Sequence, residues 1–286
     1  MIRANCITYT KTMKAANTSG ITDFHTHVFP DGLAERAMKS LLEEGQKKWD
    51  VRSYLDGRLA SLLDSMDRNG ISRSIVCSIA TKPAQFDPIL QWSLGIRSDR
   101  IIPFPSVHPD DPDALSRISR IKAEGFRGIK FHPYYQDFRI DDPKLFPIYE
   151  RICAEGLIVV MHTGFDLAFE RHRLADPQKI VKVMEAFPDF KLVTTHFGAW
   201  EDWDEVERHM SGRNIYMEVS YSLHMLDHDQ ARRLILNHPM GYVLFGTDSP
   251  WSDQGETLAL FRGLDLGEEH ERLILRENAA QLRGIP

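Results

Sequence analysis

Cysteine is scarce in this chain. Cys6, Cys77 and Cys153 are an odd set without metal-type spacing, so a disulfide framework and a cysteine zinc site are both excluded, and reduced thiols in the cytoplasm are expected. Long apolar runs are missing too. No stretch reaches the ~18–20 residues that a membrane span needs. Residues 1–20 carry Arg3, Lys11 and Lys14 without the apolar core of a secretion signal. No basic excess exists: 35 lysines and arginines face 41 acids, a formal charge of −6. Nothing therefore displaces counterions from nucleic acid. After the first apolar strand pattern a Gly-rich phosphate loop is also absent, Val28-Phe29-Pro30-Asp31 standing there instead, which counts against a dinucleotide-binding open sheet. The expectation left is a soluble cytoplasmic protein, alone or as a homo-oligomer, that acts on a small molecule.

What the chain does have is alternation. Hydrophobic residues make up 42% of its 286 positions, enough for one large core. Apolar runs of strand length fall near 21–29, 72–80, 100–107, 126–132, 157–163, 191–197, 214–220 and 242–248. Between several of them the apolar spacing is helical, as over Arg52–Arg68, Pro112–Glu124, Leu145–Ala154 and Gln178–Phe187. Gly70, Gly125 and Gly156 are placed to end helices. Asp111-Pro112, Asp142-Pro143 and Asp176-Pro177 are placed to begin them, with the acid as cap. Eight such units predict a (β/α)₈ barrel over residues 21–286 after an N-terminal extension of residues 1–20. An open doubly wound sheet is the rival architecture. The first βα loop is long, about residues 29–56, and its Asp31–Trp49 stretch reads as helical. Glu268–Arg283 reads as a terminal amphipathic helix with Leu273, Leu275 and Leu282 available for docking.

The chemistry gathers at the strand ends. Asp23, His25 and His27 alternate and so are expected to share one face. Leu157–Met161 leads into His162, Lys191–Thr195 into His196, and Tyr242–Thr247 into Asp248. Taken singly, each has a plain alternative: a hydrogen-bonded buried histidine, or a helix cap in the case of Asp248. Five such residues at one end of a parallel sheet describe a cage for a divalent ion, with zinc suited to a nitrogen-rich set holding one carboxylate. Such an ion makes hydroxide available near neutral pH. Asp248 can then accept a proton, and His196 can bind the ion or contact the substrate's carbonyl oxygen. Lys130, His132, Tyr134 and Trp251 are the substrate-facing candidates. Phe29, Tyr135, Gln136, Phe165 and Tyr221 extend a rim suited to a small planar molecule. Arg171 and Arg173 can either meet a carboxylate or lie on solvated surface.

The phrases Asp-Phe-His-Thr-His (23–27), Gly-Ile-Lys-Phe-His-Pro (128–133) and Gly-Thr-Asp-Ser-Pro (246–250), with Glu-Asn-Ala-Ala-Gln-Leu (277–282) near the end, resemble the amidohydrolase superfamily. They look most like its amidohydrolase-2 branch, and the resemblance spans Asp23 to Leu282. It implies a metal-dependent barrel enzyme with His25, His27, His162 and Asp248 as ligands of one ion and His196 as the catalytic histidine. Binuclear members of the superfamily carry a carboxylated lysine on the fourth strand, a part open to Lys130, with His162 and His196 then holding the second ion. The expected reaction is water-dependent cleavage of an amide, ester or lactone in a small carboxylated substrate. Non-oxidative decarboxylation on the same ligands is the alternative within enzymes, and a catalytically silent metal-binding scaffold the alternative outside them. TatD-type nucleases fit poorly, because no glutamate stands on the middle strands.

Overall fold

The computed structural model describes residues 20–283. The expected N-terminal extension and Cys6 lie outside the described residues, Gly20 apart. Eight parallel strands follow the sequence order: β1 Ile21–Thr26, β2 Ile71–Cys77, β3 Ile101–Phe104, β4 Gly128–Phe131, β5 Ile158–Met161, β6 Lys191–Thr194, β7 Tyr216–Glu218 and β8 Val243–Leu244. They pair in two runs, β1-β2-β3 and β4 to β8. Backbone bonds cross both seams: the Lys130 amide donates to the Pro105 carbonyl at 2.9 Å, and the Phe24 amide donates to the Phe245 carbonyl at 2.8 Å. The architecture is the expected (β/α)₈ barrel, and no helix among the described residues is long and apolar enough to cross a membrane.

Strand alternation sorts the side chains into two layers. Phe24, Ile75, Phe104, Ile158, Val160, Val193 and Leu244 fill the barrel interior. Ile71, Val76, Ile129, Val159, Leu192 and Phe245 point the other way, into the layer shared with the helices. Each fully buried side chain of this kind contributes about 1.5–3 kcal/mol.

The long loop after β1 contains α1, Asp31–Gly45, and the helix that packs on β2 is α2, Leu59–Asn69. The Arg52–Arg68 periodicity thus overshoots: residues 52–58 are not helical, and Leu55 packs on the core from the loop. Then come α3 Phe86–Ile96, α4 Ala114–Ala123, α5 Phe146–Glu155, α6 Pro177–Ala186, α7 Trp203–His209, α8 His228–Leu236 and α9 Gln254–Gly263. Asp176 caps α6 as expected, its carboxylate accepting from the Lys179 amide. Asp111 does not cap α4, which begins later at Ala114; its carboxylate accepts from the Asp113 amide and pairs with Arg117 instead.

The terminal run comprises α10 (Glu268–Arg272), a wider helical stretch (Leu273–Glu277) and α11 (Asn278–Arg283). Ala279 and Leu282 pack into the interior cluster, while Asn278 Nδ2 donates to the Met240 and Val243 carbonyls at 2.8 Å each. These contacts lie at the start of β8, so the last helix stops the barrel at its N-terminal end. The opposite end stays available for function.

Candidate metal centre

At that C-terminal end stand the histidines. The β1–β2 register is irregular between Asp23 and Thr26. This irregularity divides residues expected to share a face. Phe24 fills the barrel interior, whereas the Asp23 carboxylate accepts from the Thr247 hydroxyl at 2.6 Å and from Gln254 of α9 at 2.7 Å. Asp23 is thereby a buried tie between β1, β8 and α9, with burial pushing its pKa up to about 6 against those hydrogen bonds. His25 and His27, beyond the irregularity, turn together toward the mouth.

Hydrogen-bond partners assign their tautomers. His27 Nδ1 lies 2.7 Å from the Cys77 carbonyl, which can only accept, so Nδ1 carries the proton. His25 Nδ1 lies 3.0 Å from Glu218 Oε1 and 3.2 Å from Ser220 Oγ. Glu218 is fully buried at the end of β7, and its carboxylate already accepts from the Ser220 hydroxyl at 2.8 Å and the Ser220 amide at 2.6 Å. It therefore acts as an acceptor for His25 also. Both Nε2 atoms are left without a proton and face each other at 3.1 Å, His25 Nε2 lying also 2.9 Å from Lys130 Nζ. Burial first, then Lys130 and the neighbouring imidazoles, push the His25 pKa well down, so no proton on His25 relieves the contact.

The same construction recurs across the mouth. His162 Nε2 donates to the Phe165 carbonyl at 2.8 Å, and His196 Nδ1 to the Ser220 carbonyl at 3.1 Å. The remaining lone pairs, on His162 Nδ1 and His196 Nε2, face each other at 3.1 Å. Burial is the largest cause holding both pKa values down, that of His162 to about 3. Two nitrogens bound to one tetrahedral zinc, each ~2.0–2.1 Å from it, stand about 3.3 Å apart. Both nitrogen pairs have the spacing of ligands to a shared cation.

Asp248 completes the first group. Its Oδ1 is 3.4 Å from His25 Nε2 and 3.2 Å from His27 Nε2, so these three residues can surround one ion. Lys130, with no exposed surface, sets its Nζ 2.9 Å from His25 Nε2, and burial lowers its pKa. A second group that can hold a cation comprises His132, His162 and Asp166. His132 stacks on His162 with ring centroids 4.2 Å apart, its Nε2 is 3.4 Å from Asp166 Oδ2, and its buried Nδ1 has no hydrogen-bond partner among the described residues.

Backbone strain is concentrated here. His196, Phe197, Tyr221 and Asp248 have φ of 59°, 56°, 45° and 64°, a region that side-chain-bearing residues avoid. The His196 turn is held by the Glu218 carbonyl, which accepts from the Phe197 amide at 2.8 Å. Gly246 allows the approach of β8 to β7, since a Cβ there would lie 2.4 Å from Glu218 Oε2.

The other sequence candidates separate. Tyr134 is tied by its hydroxyl to the His172 carbonyl, with its ring nearly perpendicular to that of His162. Gln136 is structural: its amide donates to the Ala80 and Val107 carbonyls, and its oxygen accepts from the His132 amide. Trp251 joins the turn after Asp248 through its backbone amide, which donates to the Asp248 carbonyl at 3.0 Å. Arg171 and Arg173 pair with Glu201 and Asp202. Sequence reasoning missed Glu218, Ser220 and Asp166. The apolar run ending at residue 220 offered a signal for the first two, because Tyr216, Glu218 and Ser220 alternate on one face.

Residues 22–285 match the family described as Amidohydrolase. A comparison with curated proteins returns no match. Among solved structures, an uncharacterized TIM-barrel protein of Bordetella bronchiseptica superposes with a TM-score of 0.73 at 19% identity, covering 92% of this chain and 98% of that one. The 5-carboxyvanillate decarboxylase of Sphingomonas paucimobilis gives 0.64 at 16% identity over 93% and 99% of the two chains. A putative 2-pyrone-4,6-dicarboxylic acid hydrolase of Pseudomonas putida gives 0.65 at 19% identity over 93% and 97%. At these identities the likeness extends to the fold.

Proposed function

The chain belongs to the amidohydrolase family, and from that membership we propose that it is a metal-dependent hydrolase that cleaves an amide, ester or lactone bond in a small carboxylated substrate. The main support is the convergence of four unprotonated imidazole nitrogens, in two pairs 3.1 Å apart, on the side of the barrel that carries Asp248. Lone pairs repel at that distance unless a cation lies between them. The His25, His27 and Asp248 set forms the first cage, and zinc is the ion that best matches its donors.

Once bound, such a cation supplies Lewis acidity and makes water acidic near neutral pH. The rest belongs to the protein. Glu218 and Ser220 hold the Nδ1 proton of His25, which keeps its Nε2 directed inward. Asp248 accepts a proton from the attacking water and returns it to the leaving nitrogen or oxygen. His196 presents a lone pair rather than an N–H to the centre, which suits a ligand or base better than a donor to a developing oxyanion. Lys130 shares the His25 lone pair that a cation would take. Were that lone pair taken by a cation, the Lys130 amine would be available to a carboxylate of the substrate.

A two-ion form is the second reading, favoured by the separate convergence of His162 and His196. In that form a carboxylated Lys130 would bridge the ions. Decarboxylation is a second chemistry for the same residues, supported by the likeness to the 5-carboxyvanillate decarboxylase. The test is chelation of the purified protein followed by assay on esters, lactones and carboxylated aromatics. Activity is expected to vanish and to return with zinc or manganese; full activity after complete chelation overturns the proposal. Carbon dioxide release without ester or lactone cleavage favours decarboxylation. Halved metal content in Lys130→Ala, read by elemental analysis, favours two ions.

A further inference from the structure

Strand alternation by itself does not bring His162 and His196 face to face. Val160 and Val193 both fill the barrel interior, so two residues further on it is His162 and Thr195 that continue inward. His196 is one residue out of step. The ladder between β5 and β6 ends by pairing Met161 with Thr194. Beyond it the β6 chain enters a left-handed turn, with φ of 59°, 56° and 93° at His196, Phe197 and Gly198. That turn returns the His196 ring to the mouth, where Nε2 stands 3.1 Å from His162 Nδ1. Side-chain-bearing residues avoid this conformation, and the two nitrogens it brings together repel. The turn has to be held.

The residues next to the two histidines hold it. Thr163 and Thr195 have no exposed surface, and they bond reciprocally across the gap where the ladder has ended. Thr163 Oγ1 accepts from the Thr195 amide at 3.0 Å and donates to the Thr195 carbonyl at 3.1 Å. Thr195 Oγ1 accepts from the Thr163 amide at 3.2 Å. One hydroxyl thus stands in for a strand partner, serving both backbone groups of Thr195. The Trp200 amide donates to the Thr163 carbonyl at 2.9 Å, and Trp203 Nε1 donates to the His196 carbonyl at 2.9 Å, so the clamp is anchored on both sides. Each imidazole belongs to the residue directly bonded to a clamp threonine. A shift between the threonines therefore passes to the separation of the two ring nitrogens.

We propose that Thr163 and Thr195 are positioning residues of the reaction centre: they fix the register of the β6 turn and so hold His162 Nδ1 and His196 Nε2 at the spacing of two ligands to one cation. This deepens the proposed function and rests on reading these two nitrogens as part of the centre. What the clamp requires at position 163 is a hydroxyl, not a shape. Valine there keeps the packing but loses both bonds to Thr195; the Thr195 carbonyl still accepts from the Gly198 amide at 3.0 Å, whereas the Thr195 amide is left buried and unpaired. Serine keeps both bonds.

The test compares Thr163→Val, Thr163→Ser and Thr195→Val with the wild type. Its first readout needs neither metal nor substrate: ring-nitrogen magnetic resonance spectra of the histidines in isotope-labelled, metal-free protein. The His162 and His196 signals are expected to move in Thr163→Val and to return in Thr163→Ser. The second readout is a zinc titration against a chromophoric chelator. Affinity is expected to fall about 10- to 100-fold in Thr163→Val, the range for an outer partner of a ligating histidine, and to recover to within about threefold in Thr163→Ser. Should Thr163→Val fail to fold, Thr195→Val removes a single bond and is expected to show the same changes to a smaller extent. Wild-type ring spectra in folded Thr163→Val, or equal losses in Thr163→Ser and Thr163→Val, refute the clamp. Ring signals that respond as expected in a protein that takes up no zinc would remove the proposed function and leave the clamp standing. Zinc uptake by Thr163→Val with an affinity within about twofold of wild type would do the reverse.

Discussion

Replacing Glu218 by glutamine keeps the shape of the side chain and exchanges one carboxyl oxygen for an NH₂ donor, at a position that is never a metal ligand in the geometry above and where burial raises the carboxyl pKa to about 8. In the native protein this carboxylate receives His25 Nδ1–H at 3.0 Å and the Ser220 hydroxyl and amide at 2.8 and 2.6 Å. A glutamine cannot satisfy this set. With its oxygen toward His25, its NH₂ meets the Ser220 amide donor; reversed, its NH₂ meets His25 Nδ1 and drives the imidazole to the other tautomer, whose inward nitrogen carries a proton. Either way one buried hydrogen bond is lost or inverted and a buried donor is left unsatisfied, about 1–3 kcal/mol. An outer partner of a ligating histidine is typically worth 10–100-fold in metal affinity, which is about 1.4–2.7 kcal/mol, so the two estimates agree. We therefore expect Glu218→Gln to weaken zinc binding about 10- to 100-fold, measured by competition with a chromophoric chelator, with circular dichroism verifying the fold. Ser220→Ala, which leaves the carboxylate in place, is expected to lose less. A zinc affinity within about twofold of wild type in folded Glu218→Gln would refute the assignment of the His25 proton, and with it the inward lone pair.

Other outcomes follow from the same geometry. Asp248→Asn is expected to keep a substantial share of the bound metal while turnover falls about 10²–10⁴-fold; wild-type turnover would remove its role as base. Gly164→Ala is expected to cost about 3 kcal/mol in urea unfolding, because φ is +86° and the added Cβ would stand 2.1 Å from the Trp200 backbone nitrogen; a loss below about 1 kcal/mol would mean the two loops yield easily. His238, buried with Nε2 donating to the Ile215 carbonyl at 2.7 Å, has its pKa lowered by burial. A depressed histidine contributes stability above its unfolded value, and that contribution is lost as pH falls. His238→Gln is therefore expected to flatten the decline in stability between about pH 7.5 and about 5.5, and an unchanged slope would contradict it.

Much of the architecture was readable because strand and helix periods are local properties. Val159 and Met161 face the helices while Ile158 and Val160 face the interior, as period-two alternation requires. The histidines and Asp248 were legible for the same reason: each follows an apolar run, and parallel strands in a barrel bring all such positions to one rim. Local signals failed where the backbone departs from regularity. The β1 irregularity sends Asp23 outward toward Thr247 and Gln254 while His25 faces inward, and nothing in the alternation of residues 23–27 marks it. Cap positions slipped similarly, because Asp111 found Arg117 and a turn rather than the end of α4.

The order of strands, the rim that carries the candidate ligand side chains and the identity of those side chains were thus determined by the linear chain, since they depend on residue type and spacing. His162 takes its partner, the Phe165 carbonyl, from three residues away, while for His25, His27 and His196 the nitrogen that faces inward was decided by tertiary structure. That choice rests on partners far off in sequence, Cys77 for His27, Glu218 for His25 and Ser220 for His196, and a proton's position on a ring follows from the acceptor it meets in space.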